Sequence, residues 1–139
     1  MPGDQFVLKR SISEGQRLLT LNHPQRGNAL GPDLVQALTE QMEAACSDPQ
    51  VHTVVLMGQG PHFCTGLDLS DLSALSDADL LWRLVHIENL LSLIWNAPIR
   101  TVAVAHGRTW GAGADLFAAC ERRLALEEDR KSTRLNSSH

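Results

Sequence analysis

The sequence contains few cysteines, and they form no recognised pairing or metal-binding pattern. Its 139 residues include three, Cys46, Cys64 and Cys120. No two of them have the CxxC spacing of a zinc ligand pair, and an odd number does not fit a disulfide framework. We therefore predict neither disulfides nor a metal site, and we expect a reducing compartment such as the cytoplasm.

Long hydrophobic runs are also absent. No stretch approaches the roughly 18 apolar residues that a membrane helix needs, although 43% of the residues are hydrophobic. Residues 1–9 include Asp4 and lack the apolar run of a signal peptide. These absences predict a cytoplasmic protein without a membrane partner and with enough apolar content to bury one core.

Aromatic side chains make up 4% of the sequence, tyrosine does not occur, and the formal net charge is −4. A nucleic-acid surface usually combines a basic stripe with stacking aromatics, and the sequence has neither. The composition therefore argues against a nucleic-acid partner. A few local cations remain available to hold a phosphorylated ligand.

Residues 101–121, TVAVAHGRTWGAGADLFAACE, predict a strand, a glycine turn and a helix. The first backbone N–H groups of such a helix lack intrahelical partners, and the helix dipole adds positive charge where they converge. An oxyanion or a phosphate fits there, and Asp115 is a carboxylate about one turn into the helix. A tight connection with Asp115 on the surface fits the stretch equally well.

Residues 53–69 repeat this pattern. TVVLMG at 53–58 predicts a second buried strand, and QGPHFCTGLDL at 59–69 predicts a glycine-bearing turn that leads into a helix. Glycines in both turns let the main chain come close to a ligand that any Cβ would block.

Three motifs together resemble the crotonase (enoyl-CoA hydratase/isomerase) superfamily. They are RGNAL at 26–30, FCTGLDL at 63–69 and WGAGADL at 110–116, and the resemblance extends over residues 5–128. It implies an α/β protein with the crotonase-like ββα spiral fold. Family members continue with C-terminal helices that nothing in this sequence matches. We therefore expect residues 1–128 to be the N-terminal part of a crotonase-like domain that is C-terminally truncated.

Residues 129–139, DRKSTRLNSSH, are polar and unpatterned. Translated back into codons, they resemble a sequencing-library adapter that has been read in frame. A disordered polar tail is the alternative interpretation. We expect a non-native tail and leave it out of the functional argument.

Hydrophobic periodicity predicts the remaining elements. A hairpin is expected from strands at 6–12 and 17–21, and a helix from Pro32 to Cys46. A short helix at 68–75, a longer one at 77–96 capped by Ser76, and a strand at 122–126 should follow. Trp82, His86 and Trp95 lie within the longer helix and are interpreted as core or interface residues.

The resemblance implies an oxyanion hole formed by two backbone N–H groups, those of Leu67 and Ala112. Main-chain donors tolerate varied side chains, whereas the neighbouring glycines should matter for backbone shape and close approach. These supporting glycines are Gly66, Gly111 and Gly113.

Asp115 is the catalytic residue that the resemblance implies. It matches the first of the two acid–base glutamates of enoyl-CoA hydratases but is one methylene shorter. The second glutamate would lie about twenty residues further on, inside or beyond 129–139. His62 and His106 flank the two turns and are weaker candidates for a base.

The same resemblance places the loop at 23–28 near the adenosine end of coenzyme A. Arg26, Asn28 and Ala29 are its implied CoA-binding residues, although a solvated loop arginine explains Arg26 equally well. The implied partner is an acyl-CoA thioester, with coenzyme A as part of the substrate and no separate cofactor or metal. A homotrimer or a dimer of trimers is the implied assembly.

The resemblance implies hydration of trans-2-enoyl-CoA to 3-hydroxyacyl-CoA, a reaction of fatty acid metabolism, as the default activity of the intact parent. The shorter Asp115 leaves isomerase and other crotonase-type reactions open, as well as a CoA-ester-binding protein without turnover. The 139 residues alone are expected to be inactive or nearly so. Dinucleotide binding is disfavoured because the glycine turn lacks GxGxxG spacing.

Overall fold

The computed structural model describes residues 5–126, which form one five-stranded sheet and three α-helices. In chain order the elements are β1 (Val7–Ser13), β2 (Gln16–Leu21), α1 (Pro32–Ser47), β3 (Thr53–Gly58), α2 (Asp77–Trp95), β4 (Arg100–Ala105), α3 (Ala112–Ala119) and β5 (Arg122–Ala125). Single-turn 3₁₀ helices occur at Pro24–Arg26 and Leu72–Ala74. The tail expected at 129–139, with any second acid there, lies outside the described residues.

The strand order in the sheet is the order in the sequence, β1 to β5. β1 and β2 form the predicted antiparallel hairpin, and β2, β3, β4 and β5 then run parallel to one another. Each parallel pair is joined by a crossover through one helix, as parallel connections require. As a result, the carboxyl ends of β2, β3 and β4 lie at one edge of the sheet, and the loops that follow them meet there.

α1 and α3 pack against the sheet, and α2 packs against α1 and α3 through only part of its apolar face, since Leu81 and Leu84 are exposed. α1 begins after the extended Gly31 with proline in its first turn and buries Leu34, Val35, Leu38, Met42 and Ala45. α2 is capped by Ser76, whose hydroxyl accepts the N–H of Asp79 at 3.1 Å, and it buries Ile87, Leu90 and Ile94. Full burial of such a side chain contributes about 1.5–3 kcal/mol, so these two faces hold much of the core.

The prediction of a short helix at 68–75 is wrong, because this stretch contains a single 3₁₀ turn, Leu72–Ala74, and no α-helix. The side chain of Asp68 accepts the N–H of Ser70 at 2.9 Å, which holds the chain in a local turn instead of a helix. The backbone at Leu67 is also committed elsewhere, since it forms a parallel bridge with Leu30.

The exposed part of α2 differs from the prediction as well. Trp82 is 60% exposed and Trp95 is 71% exposed, and His86 is exposed beside the Trp82 ring at 5.6 Å. The prediction that these three residues pack in the core is therefore wrong for the described part of the chain. Their role at an interface stays a prediction.

Candidate active site

Three loops meet at the carboxyl edge of the parallel strands. We call them the β2 loop (residues 22–31), the β3 loop (residues 59–71) and the β4 loop (residues 106–111). The β3 loop lies between the other two and forms a parallel bridge to each, Leu30 with Leu67 and Cys64 with Thr109. The loops therefore make a small ladder of their own beyond the end of the sheet.

The bridge to the β2 loop determines which way the Leu67 amide points. Leu30 donates to the carbonyl of Gly66 at 2.7 Å and accepts from the N–H of Asp68 at 3.1 Å. In such a bridge the residue between the two bonded neighbours turns its own N–H away from the partner. No acceptor among residues 5–126 takes the Leu67 N–H. This donor is free to bind a ligand.

Ala112 supplies the second free donor, because it is the first residue of α3. The next two amides, of Gly113 and Ala114, both donate to the carbonyl of Trp110, at 2.7 and 3.4 Å. The N–H of Ala112 itself has no acceptor within the described part of the chain.

The two donor segments are in direct contact. A Cβ added to Gly66 would lie 3.1 Å from the Trp110 carbonyl oxygen and 3.9 Å from the nitrogen of Ala112. Gly66 directly precedes Leu67, so the two free N–H groups belong to backbone segments that pack against each other.

The three predicted supporting glycines are needed for different reasons. Gly66 has φ of +113° and Gly111 has φ of +54° with ψ of −125°, conformations that residues with a Cβ rarely adopt. A side chain on Gly113 would instead run into the carbonyl of Cys64. The first turn of α3 therefore lies directly on the β3 loop.

Asn28 is fully buried and joins the β2 and β3 loops. Its amide nitrogen donates to the carbonyls of Gln59 and His62, both at 2.9 Å, and its amide oxygen accepts the N–H of His23 at 2.7 Å. The side chain is thus fully engaged within the protein. Asn28 shapes the loop, and a contact between its side chain and coenzyme A would require these bonds to break.

The other predicted CoA-binding residues differ in accessibility. Ala29 is only 8% exposed, whereas Arg26 is exposed at the end of its 3₁₀ turn. Burial acts to raise the pKa of Asp68, but the N–H of Ser70 and the charge of Arg26 outweigh it, and the pKa lies below its ordinary value. The Arg26 guanidinium therefore sits in the field of a nearby carboxylate, and CoA binding by both residues stays a prediction.

Asp115 lies in the first turn of α3 and is exposed. Its own N–H donates to Gly111 at 3.1 Å, and its carboxylate makes no hydrogen bond to another described residue. The carboxylate is therefore one helical turn from the free N–H of Ala112 and is available to a ligand. The other nearby acid, Asp68, is turned away beside Gly31.

The sequence model of the enoyl-CoA hydratase/isomerase family matches residues 11–133. The chain belongs to this family. It is 31% identical to the mitochondrial enoyl-CoA hydratase domain-containing protein 3 of Danio rerio, a match that covers 96% of this chain and 47% of the relative. It is 25% identical to the peroxisomal Δ(3,5)-Δ(2,4)-dienoyl-CoA isomerase of Arabidopsis thaliana over 88% of this chain and 48% of that one.

Solved structures of the enoyl-CoA hydratase/isomerase family confirm the α/β class and the crotonase-like fold. An enoyl-CoA hydratase from Mycobacterium smegmatis has a TM-score of 0.83 at 31% identity, with 86% of this chain and 47% of that chain covered. A monofunctional enoyl-CoA isomerase from the same organism has a TM-score of 0.71 at 26% identity, with 87% and 50% covered. The chain thus spans about half the length of the relatives it matches.

Two histidines connect the β3 and β4 loops in a way that the sequence did not indicate. The N–H of Arg108 donates to Nδ1 of His62 at 3.0 Å, and Nε2 of His106 bonds to the carbonyl of Gly60 at 2.6 Å. Each ring binds the backbone of the other loop. Position beside a glycine motif was the only sequence signal for either residue.

Cys64 is fully buried, and its carbonyl lies against Gly113 at the start of α3. Burial raises the pKa of its thiol to about 11, so the side chain stays neutral at physiological pH. Its backbone does the positioning, since the N–H donates to the carbonyl of Arg108 at 3.3 Å and the carbonyl accepts from the N–H of Trp110 at 3.1 Å.

Other features of the described residues lie away from these loops. An open cavity of about 550 Å³ lies at the opposite edge of the sheet, between the end of α2 and the starts of β4 and β5.

No group of three or more His, Cys, Asp or Glu side chains within residues 5–126 is placed to hold a metal ion. Within the same range, no helix is long and apolar enough to cross a membrane. The cytoplasmic location stays a prediction, since relatives include a mitochondrial and a peroxisomal protein.

Proposed function

We propose that the whole protein acts on an acyl-CoA thioester and stabilises an enolate-like oxyanion with the N–H groups of Leu67 and Ala112. The observation that carries this proposal is the contact between the two loops at Gly66, which brings together two backbone donors that have no acceptor among the described residues. Hydration of trans-2-enoyl-CoA to 3-hydroxyacyl-CoA is the proposed reaction. Membership of the enoyl-CoA hydratase/isomerase family supports it.

The two donors address the main barrier of the reaction. As a nucleophile adds to an enoyl thioester, negative charge accumulates on the thioester oxygen. A backbone donor aimed at that oxygen typically contributes about 2.7–4 kcal/mol to stabilisation of the transition state. Because the amides are held by the loop ladder and by the start of α3, they require no reorganisation when the charge develops.

Asp115 is proposed to act on the water. In hydration, the water oxygen bonds to C3 of the enoyl group, one of its protons passes to a base, and a proton is delivered to C2. Asp115 is exposed one turn from Ala112, within the region where the acyl group would lie. A second acid would have to come from residues outside those described.

Arg26 is proposed to bind a phosphate of coenzyme A. It is the exposed cation of the β2 loop and now interacts electrostatically with the nearby carboxylate of Asp68. A phosphate of CoA would take the place of that carboxylate as the partner of the guanidinium. The buried Asn28 and Ala29 contribute by shaping that loop.

The oxyanion hole can be tested without turnover by means of acetoacetyl-CoA, whose enolate has its own absorbance band. Ala112→Pro removes the N–H at the first position of α3, where helices tolerate proline. We expect the enolate band in the unchanged protein and in Ala112→Ser, which keeps the N–H, and its loss in Ala112→Pro. Equal bands in both variants would contradict the role of this amide.

Hydration is tested on the full-length parent with crotonyl-CoA, followed by loss of the enoyl absorbance. Asp115→Asn should lower kcat by at least ~100-fold, the range of a lost general acid–base group, and leave the acetoacetyl-CoA enolate band in place. Normal hydration in Asp115→Asn would reject this residue as the acid–base group while the oxyanion hole remains tested by Ala112→Pro.

Isomerisation is the second candidate, and one observation favours it. Asp115 is the single carboxylate that the described residues bring to the donor pair without an internal partner. Moving a proton from C2 to C4 of a 3-enoyl-CoA needs one base that removes and returns it, whereas the hydratase mechanism implied by the resemblance uses two acids. Formation of conjugated enoyl absorbance from trans-3-enoyl-CoA, without hydration of crotonyl-CoA, would select this reaction.

A further inference from the structure

The hydrogen bonds of the two loop histidines define their protonation. An amide N–H only donates, so the Nδ1 of His62 that accepts from Arg108 carries no proton. A carbonyl only accepts, so the Nε2 of His106 that bonds to Gly60 carries one.

The β3 loop holds Arg108 by both of its backbone groups. Its N–H is bound by His62 at 3.0 Å, and its carbonyl accepts the N–H of Cys64 at 3.3 Å. Next to this pair, the N–H of Phe63 donates to the carbonyl of His106 at 2.8 Å. Among the described residues, His62 supplies the only side-chain hydrogen bond to the Arg108 backbone.

We propose that His62 is a positioning residue, which fixes the β4 loop by accepting the N–H of Arg108 and thereby aims the N–H of Ala112. Arg108 lies four residues before Ala112 in the sequence. Between them, the N–H of Trp110 donates to the carbonyl of Cys64 in the β3 loop. Loss of the His62 bond removes the only side-chain restraint on the Arg108 backbone among the described residues, although the bond of His106 to Gly60 remains. This inference rests on the proposed role of the Ala112 amide as an oxyanion donor.

The backbone contacts of His62 allow a clean substitution. Its carbonyl accepts from Asn28, a bond that any residue at this position retains. Asparagine places an acceptor oxygen at nearly the same position as the imidazole Nδ1, whereas phenylalanine keeps a ring and lacks an acceptor. His62→Asn and His62→Phe therefore differ in the property that the inference invokes. His86→Phe, on the exposed side of α2, is the matched control for a histidine-to-phenylalanine change.

The experiment uses the full-length protein, as in the hydration test, and two readouts. Amide hydrogen exchange of Arg108 reports the bond itself, and the enolate band of acetoacetyl-CoA, set against the affinity for CoA alone, reports oxyanion stabilisation. We expect His62→Phe to exchange Arg108 about tenfold faster, the factor that corresponds to one hydrogen bond, and to weaken the enolate band by a similar factor with unchanged CoA affinity. His62→Asn and His86→Phe should behave like the unchanged protein.

Each other outcome is decisive. Equal Arg108 exchange in His62→Phe and the unchanged protein would overturn the restraint. Faster exchange with an unchanged enolate band, or a parallel fall in CoA affinity and in the band, would overturn the positioning role and leave only a structural one. Absence of the enolate band in the unchanged protein would reject the proposed function itself, and the inference with it, while the exchange data would still report the loop contact.

Discussion

Gly113 lies against the carbonyl oxygen of Cys64, so that the first turn of α3 touches the β3 loop through a position with no room for a side chain. This contact sets how closely the two donor segments approach. It is a steric requirement, distinct from the backbone conformation that Gly111 needs with φ of +54° and no atom near an added Cβ.

Gly113→Ala should displace the start of α3 and lower the free energy of unfolding by about 1–3 kcal/mol, the usual cost of an overpacked site. Urea unfolding measures the change. Gly111→Ala is the comparison, since it strains the backbone by about 1–3 kcal/mol without a clash. Only Gly113→Ala should shift the amide resonances of Cys64 and its neighbours, and an undisturbed Cys64 in that variant would contradict the contact.

Asn28→Gly should destabilise the protein by about 2–3 kcal/mol. The glycine accepts the positive φ of 56°, so the main effect of the change is the loss of three part-buried hydrogen bonds, which leaves two carbonyls and one N–H without their partner. Chemical unfolding provides the measurement, and Asn96→Gly at the exposed end of α2 serves as the control. A loss no larger than that of the control would show that water replaces the Asn28 bonds.

The stability of the protein should fall as the pH rises from about 9 to 11. Burial raises the pKa of the thiols of Cys64 and Cys120 from 9.0 to about 11. In that interval the unfolded chain loses thiol protons that the folded chain keeps. The free energy of unfolding therefore falls by on the order of 2 kcal/mol per thiol. Below pH 9 both thiols are protonated in the folded and the unfolded chain, and this loss of stability does not occur.

Unfolding free energies measured from pH 8 to pH 11 test this expectation. A variant with alanine at both Cys64 and Cys120 is less stable throughout, but its stability should vary less with pH than that of the unchanged protein. Identical slopes in the two proteins would mean that the thiols do not cause the dependence.

Asp71→Asn should loosen residues 69–76 without unfolding the rest of the protein. The guanidinium of Arg83 donates to both carboxylate oxygens of Asp71, at 2.9 and 2.7 Å, and this pairing lowers the pKa of Asp71 below its ordinary 3.8. The pair is complete above that value and is lost as the pH falls through the lowered pKa. Faster amide exchange confined to these residues is expected, with Asp33→Asn as the control. Exchange that rises throughout the protein would contradict a local tether.

Elements that rest on strong local patterns could be predicted closely from the sequence. β3 has the predicted bounds, Thr53–Gly58, and α2 ends at Trp95, one residue before the expected end. Buried β-branched residues and a capped apolar helix leave signals in neighbouring residues. The helix expected at 68–75 fails for the opposite reason, since bonds of Leu30 and of the Asp68 side chain compete with it.

The candidate site was predicted as positions but not as an arrangement. The family resemblance of the two motifs identified Gly66 and Gly113, yet the bridges that bring their segments together join backbone groups distant in sequence. Such bonds involve atoms that every residue has, so composition does not reveal them. The bonds of the Asn28 amide and of the His62 ring could not be predicted either, because these side chains bind backbone groups of other loops that no local pattern specifies. The roles of Leu67, Ala112 and Asp115 stay predictions.

The agreement between strand order and sequence order bears on how the chain acquires its structure during synthesis. β2 follows its partner β1 directly, and β3, β4 and β5 each pair with the strand that left the ribosome before them. No strand described here waits for a later one to fill a gap in the sheet. Growth of the sheet can therefore keep pace with translation, and all segments of the three loops are present once the residues of β4 and the start of α3 have emerged.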